Sequence, residues 1–468
     1  MAKWLIKKVV PKGVKKYELV EPPEPDFVRD LFPYVEPPRV AFDGETVPME
    51  PADEIWITDT TFRDGQQAME PYTVEQKVQL YKFLHRLGGP KGVIRQCEFF
   101  LYTKKDREAV DKIRALGYKY PEVTGWIRAH PKDFQLVKDM GLEETGILTS
   151  ISDYHIFKKF GASSRKEVID KYLKIVDMAA EAGLKAIRCH FEDITRADFW
   201  GACIPFAQKL KQISEQSGMR IKIRICDTMG YGVPWPEASL PRSIPKIVYY
   251  LRTEAGFDPE NLEMHMHNDF HMVVANSVAG WLYGASAVNG TLLGFGERTG
   301  NAPIEGMIMW YIGLKGSMDG IDTTVITEIK EYYEKEIGVT IPVRYPFVGE
   351  YFNVTRAGIH ADGMIKFPEI YNIMDTEKLL NRPYGVSITD KTGVAGIAMW
   401  METKMGVKVD KSDKRLQEIY QKIIAQYEAG RVAAMSDNEI AAFVKEHFPE
   451  YWTDEIKERL RRKGIRVD

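Results

Sequence analysis

From Ile55 onward the chain alternates between two rhythms. Short runs of β-branched and aliphatic residues recur, and longer amphipathic runs with apolar positions three and four apart separate them. Eight of the short runs predict strands: EIWIT (54–58), VIRQCEF (93–99), EVTGWI (122–127), TGILTS (145–150), KAIRCHF (185–191), KIRICDT (222–228), LEMHMH (262–267) and AVNGTL (287–292). The intervening runs predict helices, among them TVEQKVQLYKFLHRLG (73–88) and SRKEVIDKYLKIVDMAAEAG (164–183). The second opens on Ser164 with Glu167 three residues on, the pattern of a capping box, and closes on Gly183. Eight βα units in succession predict an α/β fold, a closed parallel (β/α)8 TIM barrel over residues 54–322. No glycine-rich turn follows the first strand, which speaks against an open doubly wound sheet.

The flanks break this rhythm. Residues 1–53 hold Pro22, Pro23, Pro25, Pro33, Pro37, Pro38, Pro48 and Pro51. Prolines at that density exclude regular helix, so this N-terminal extension is expected to wrap a surface in extended form. Residues 323–402 mix one charged helix with loops and form a linker and first subdomain, and residues 403–468 predict a second subdomain of charged amphipathic helices. At 468 residues, the chain has room for a barrel and this appended region.

Composition narrows the function classes. A net charge of -3 gives no basic surface for nucleic acid or anionic lipid. The apolar runs are too short to cross a bilayer, and no signal-peptide core is present, so a cytoplasmic protein is expected. Cys97, Cys189, Cys203 and Cys226 show no metal-binding spacing and fit buried small hydrophobes in a reducing compartment.

Candidate chemistry gathers at strand ends. The first strand runs into Asp59-Thr60-Thr61-Phe62-Arg63-Asp64-Gly65-Gln66-Gln67. There Asp64 offers a hard oxygen ligand, and Arg63 a cation for a developing oxyanion. On the seventh strand His265 and His267 are two apart and therefore share a face. With Asp64 they make a three-ligand site with open positions, and Asn268, Asp269 and Glu263 are the nearby acceptors that would orient the rings. Gly294-Phe295-Gly296-Glu297-Arg298-Thr299-Gly300-Asn301 follows the eighth strand, with Asn301 a neutral oxygen donor for the same metal. After the fifth strand, Glu192 and Asp193 beside Arg196 suit proton handling. Outside the barrel, His360 lies in Gly358-Ile359-His360-Ala361-Asp362-Gly363, which reads as a loop.

In this order the motifs resemble the acetyl-CoA-dependent branch of the DRE-TIM metallolyases, which contains 2-isopropylmalate, homocitrate and Re-type citrate synthases. DTTFRDGQQ, the SDYH of residues 152–155, DTMGY at 227–231, HMHND at 265–269, GFGERTGNA at 294–302 and AGIHADG at 357–363 carry the likeness. It implies a divalent metal (Mn, Mg, Zn or Co) held by Asp64, His265 and His267 with Asn301 close by, and Arg63 steadying an enolate or alkoxide. Glu192 and His360 would belong to the acid/base system, with His360 reaching in from the subdomain of this chain or of a partner subunit. Gln67, Glu98, His155 and Thr228 would line the substrate pocket. The implied reaction is condensation of acetyl-CoA with a small 2-oxo acid, followed by thioester hydrolysis, in a homodimer. A carbon–carbon lyase on the same barrel is the alternative chemistry.

Two single positions and one segment depart from the family pattern. Gln66 replaces the glutamate of D-G-E-Q, Cys97-Glu98-Phe99-Phe100-Leu101-Tyr102 replaces E-A-G-F-P, and Thr392 stands where many relatives carry histidine. Loss of a carboxylate at Gln66 would favour a dianionic substrate, and Arg95 and Arg128 are candidates to meet its second carboxylate. Oxaloacetate, the substrate of the Re-citrate synthase subgroup, is thus the expected 2-oxo acid, with 2-oxoisovalerate and 2-oxoglutarate as alternatives. The tail after the subdomain that carries AGIHADG, about sixty residues, is too short for the leucine-binding regulatory domain of such synthases, so leucine inhibition is not expected.

Overall fold

All eight predicted strands form, each within two residues of its expected ends: β1 (Trp56–Asp59), β2 (Ile94–Phe100), β3 (Glu122–Arg128), β4 (Glu144–Leu148), β5 (Ala186–Glu192), β6 (Arg220–Asp227), β7 (Leu262–Met266) and β8 (Ala287–Thr291). In this computed structural model, which describes residues 15–467, every neighbouring pair is parallel and β1 pairs with β8, closing the barrel. Helices α1 (Val74–Gly88), α2 (Lys104–Arg114), α3 (Pro131–Asp139), α4 (Arg165–Glu181), α5 (Ile204–Ser217), α6 (Ile244–Thr253), α7 (Val273–Tyr283) and α8 (Ile304–Lys315) alternate with the strands.

Helix starts follow local chemistry. Thr73 and Gln76 form a reciprocal capping box on α1. On α4 only half of the expected box forms. Ser164 Oγ accepts from the Glu167 amide at 3.1 Å, but the Glu167 carboxylate turns to the amide and hydroxyl of Ser163, each at 2.9 Å. Gly183, just past the end of α4, adopts φ +74, where a side chain would be strained.

From residue 15 to residue 53 the chain is an extended strap, as the prolines dictate; residues 1–14 of the predicted extension lie outside the described residues. Tyr17 bonds Gln208 on α5 and Glu254 beyond α6. Glu21 then caps α4 through the amides of Arg165 and Lys166. The Asp26 amide donates to Asp153, and Tyr154 Oη donates to the Phe27 carbonyl, both at the rim after β4. Farther along, the carbonyls of Pro38 and Arg39 accept from Tyr231 and Arg242, and Asp43 and Glu50 pair with Lys246 and Arg252 along α6.

The chain divides into two units between Asp322 and Thr323. The second contains α9 (Val325–Tyr332), α10 (Gly358–Lys366), α11 (Thr376–Leu380), α12 (Gly393–Trp400), α13 (Lys414–Glu428), α14 (Asp437–His447) and α15 (Asp454–Arg462). One apolar cluster runs through it from Ala361 to Val467, with no break near residue 402. Among the described residues no helix is long and apolar enough to cross a membrane. All four cysteines are buried and unbonded.

Candidate active site

A cleft of about 400 Å³ opens at the C-terminal ends of the strands. This is the end of such barrels where loops and strand ends can converge on a ligand. Asp64 enters it from the turn after β1, whose amides at Asp64 and Gly65 both donate to the Thr60 carbonyl. His265 and the residue just past β7, His267, enter from the same side, with only β8 between β7 and β1, and their rings are nearly perpendicular, at 83°. Asp64 Oδ2 lies 3.0 Å from His265 Nε2 and 3.6 Å from His267 Nε2. Among the described residues these three form a cluster whose ligand atoms all lie within 4.8 Å of one another.

The surroundings fit a metal ion. Asn301 Oδ1 and His267 Nδ1 are buried without a hydrogen-bond partner, a costly state unless an ion or a ligand supplies one. Asn301 Nδ2 lies 3.4 Å from Asp64 Oδ2, which places the side chain against the cluster. A Cβ on Gly296 would fall 1.8 Å from Asn301 Oδ1, so only glycine permits this arrangement. Burial would raise the Asp64 carboxyl, but the Arg63 guanidinium and the two imidazoles hold it well below the usual carboxylate range. Burial also pushes His267 down to about 4, against the pull of Asp64. A carboxylate beside two imidazoles is a donor set suited to a divalent cation.

Arg63 is held on three sides. Its Nε donates to Glu98 Oε2 at 3.1 Å, its Nη1 lies 3.4 Å from Asp64 Oδ2, and its guanidinium sits 5.4 Å from the Trp126 ring centre. Such fixing costs no reorganisation when negative charge develops beside it.

The far wall is a network of titratable side chains. Glu192 Oε2 accepts from Ser150 Oγ and from Lys159 Nζ at 3.2 Å. His155 bridges the two carboxylates, with Nε2 3.6 Å from Glu192 and Nδ1 3.3 Å from Asp193. Thr228 Oγ1 accepts the Asp193 amide at 2.8 Å. Arg196 pairs with Asp193 at 2.9 Å, and its guanidinium lies 4.0 Å from the Tyr154 ring centre. Gln67 lines the mouth of the cleft.

Several expected site residues lie elsewhere. Glu98 is only 1 % exposed, and its oxygens are taken by Thr60, Arg63, Arg188 and Arg224, so it lies beneath the cleft and orients Arg63. Arg95 points out of the barrel at the start of β2, over the Trp56 ring and toward Glu54. Arg128 does reach the rim, but Asp133 at the start of α3 engages it at 2.7 Å. Gln66 is not among the residues lining the cleft, so its missing charge does not act there directly. His360 lies in the second unit, in the first turn of α10 rather than in a loop, exposed and 4.2 Å from the Tyr371 ring centre. The glycine that suggested a loop serves close packing: a Cβ on Gly358 would sit 2.6 Å from the Thr392 carbonyl.

Sequence reasoning missed two groups. The acceptor that orients His265 is Asn289, whose Oδ1 lies 2.8 Å from Nδ1, and not Asn268, Asp269 or Glu263 directly. His190 also lines the cleft, accepting from Trp126 Nε1 at 3.3 Å. Polar residues inside otherwise apolar parallel strands were the available signal for both.

Residues 54–332 match the family model described as HMGL-like. The chain is 53% identical over 453 residues to a citrate (Re)-synthase of Syntrophus aciditrophicus, covering 96% of this chain and 72% of that protein. It is 50% identical over 438 residues to a citrate (Re)-synthase of Clostridium kluyveri, covering 93% and 96%. Among solved structures, hydroxymethylglutaryl-CoA lyase from Pseudomonas aeruginosa resembles it with a TM-score of 0.50 at 17% identity, over 62% of this chain and 95% of that one.

Proposed function

This chain belongs to the HMGL-like family, and from that premise we propose that it condenses acetyl-CoA with oxaloacetate to give citrate and free coenzyme A. The observation behind this is the convergence of Asp64, His265, His267 and Arg63 on one cleft, in a chain half identical to two proteins named for citrate synthesis. A divalent ion held by Asp64, His265 and His267, with Asn301 Oδ1 beside them, would supply Lewis-acid polarisation of the 2-oxo carbonyl.

The chain's own residues do the rest. Glu192, as a carboxylate, accepts a proton from the acetyl methyl group, and the link through His155 to Asp193 lets that proton be held and then returned to the alkoxide. The carbanion forms a carbon–carbon bond to the 2-oxo carbon, whose carbonyl electron pair becomes an alkoxide beside Arg63. Water then cleaves the thioester, and the sulfur leaves as coenzyme A thiol. His360 is a further acid/base group in this scheme, and a homodimer is the assembly. Arg63, Arg196 and Arg298 are the arginines that line the cleft, and Arg196, although paired with Asp193, is the one we assign to the second carboxylate. Four unbonded thiols suit a reducing cytoplasm.

The test is thiol release from acetyl-CoA with Mn²⁺, run in parallel against oxaloacetate, 2-oxoglutarate, 2-oxoisovalerate and pyruvate. Release with oxaloacetate is expected. Release with 2-oxoisovalerate or 2-oxoglutarate alone would reassign the substrate, and no release with any of the four would overturn the condensation. Arg196→Gln is expected to raise KM for oxaloacetate about 10- to 100-fold with the acetyl-CoA KM little changed, as loss of one charged hydrogen-bond partner implies.

A further inference from the structure

Beneath the cleft, four charged side chains from four strands close a square across the barrel axis. Arg224 donates to Glu263 through Nε at 2.7 Å and to Glu98 through Nη1 at 2.8 Å. Arg188 completes it, with Nη2 2.9 Å from Glu98 Oε1 and Nε 3.2 Å from Glu263 Oε2. Each corner is 4 % exposed or less. Buried ion pairs add little net stability, so stability alone does not account for the square.

We propose that this square is a positioning device with two arms, one fixing the tautomer of the metal ligand His265 and the other fixing the plane of Arg63. The proposal rests on the reaction assigned above. On the first arm, the sense of every hydrogen bond follows from Glu263. Two guanidinium groups face it, so it is a carboxylate and only accepts. Thr58 Oγ1 must therefore donate to Glu263 Oε1. The lone pair left on Thr58 accepts from Asn289 Nδ2 at 2.9 Å. That fixes the amide with Oδ1 toward His265, and Nδ1 must carry the proton donated across 2.8 Å. Nε2 is then left as a lone pair directed at Asp64, 3.0 Å away, where a cation would sit. On the second arm, Glu98 Oε2 accepts from Arg63 Nε at 3.1 Å and from Thr60 Oγ1 at 3.0 Å, fixing the guanidinium plane.

Thr58 touches neither the cluster nor the cleft, so it tests the first arm cleanly. Mn²⁺ affinity is measured by chelator competition, without substrates, on the parent protein, Thr58→Val and Thr58→Ser. The expected result is a dissociation constant about 10- to 100-fold weaker for Thr58→Val and near-parent binding for Thr58→Ser. Parent affinity in Thr58→Val would overturn the proposal, as would equal weakening in both variants, which is the signature of packing alone. Should Thr58→Val not fold, Thr58→Ala against Thr58→Ser repeats the test, since both lack the methyl group and only the serine keeps the hydroxyl. Equal binding by the two would overturn the proposal. For the second arm, Glu98→Gln is expected to lower kcat about tenfold or more with KM unchanged; a rise in KM alone would overturn that arm. A parent protein that binds Mn²⁺ in this Thr58-dependent way yet releases no thiol would sink the assigned reaction and leave the positioning device standing.

Discussion

The two units bury different materials. In the second unit Met364, Ile397, Trp400, Leu416, Ile419, Ile423 and Val444 meet in one apolar cluster. Along the barrel axis Glu98, Glu144, Arg188, Lys222, Arg224 and Glu263 lie within hydrogen-bond reach of one another, with side chains 11 % exposed or less. Branched aliphatic layers are the ordinary filling of such a barrel. Apolar packing tolerates substitution of similar volume and rewards area, whereas charged hydrogen bonds reward direction. The unit that assembles the Asp64, His265 and His267 cluster has thus used part of its interior for orientation, and the second unit has kept its interior for cohesion.

The largest expected effect comes from breaking the lattice at one corner. Arg188→Met leaves Glu98 and Glu263 to share Arg224, at a cost of about 3–5 kcal/mol read from the midpoint of urea unfolding. A smaller loss, about 2–3 kcal/mol, is expected for Leu416→Ala in the apolar cluster, with oxaloacetate turnover by the folded fraction unchanged. Equal losses would erase the contrast between the two interiors. The smallest effect concerns pH. Burial pushes the Asp59 carboxyl at the end of β1 up to about 7, against hydrogen bonds from Cys97 and Thr61. A carboxyl raised in the folded state contributes stability that is present below its ordinary value of about 4 and lost as pH rises through about 7. Asp59→Asn is therefore expected to gain in Tm relative to the parent between pH 4 and pH 7. A difference in Tm that is flat across that range would remove Asp59 from the account.

The barrel and the candidate metal cluster were legible in the sequence because both depend on local period. Strand spacing predicts the βα units, and a His-x-His pair shares a face whatever lies around it. Depth and parity were harder. Arg95 stands next to the inward Gln96 and Glu98 and so points outward, while Arg128 shares the parity of the inward Trp126 but ends at the rim, where Asp133 is nearer than the cleft. The ion square carried a signal that went unread: Lys222 and Arg224 alternate with isoleucines in KIRIC, placing two cations on one face of a buried strand. Asn289 was invisible because its partners, Thr58 and His265, are neighbours only once β8 lies between β1 and β7.

The strap has a consequence in time. Residues 17–50 leave the ribosome before any of the helices they bind, and their partners extend from Asp153 to Glu254. Contacts so distant in sequence form late, because the intervening loop must first be ordered. A segment synthesised early is therefore seated only after β6 and α6 have emerged, and it must stay extended and unattached until then. Its prolines serve that wait, since they deny it any helix or sheet of its own to fold into.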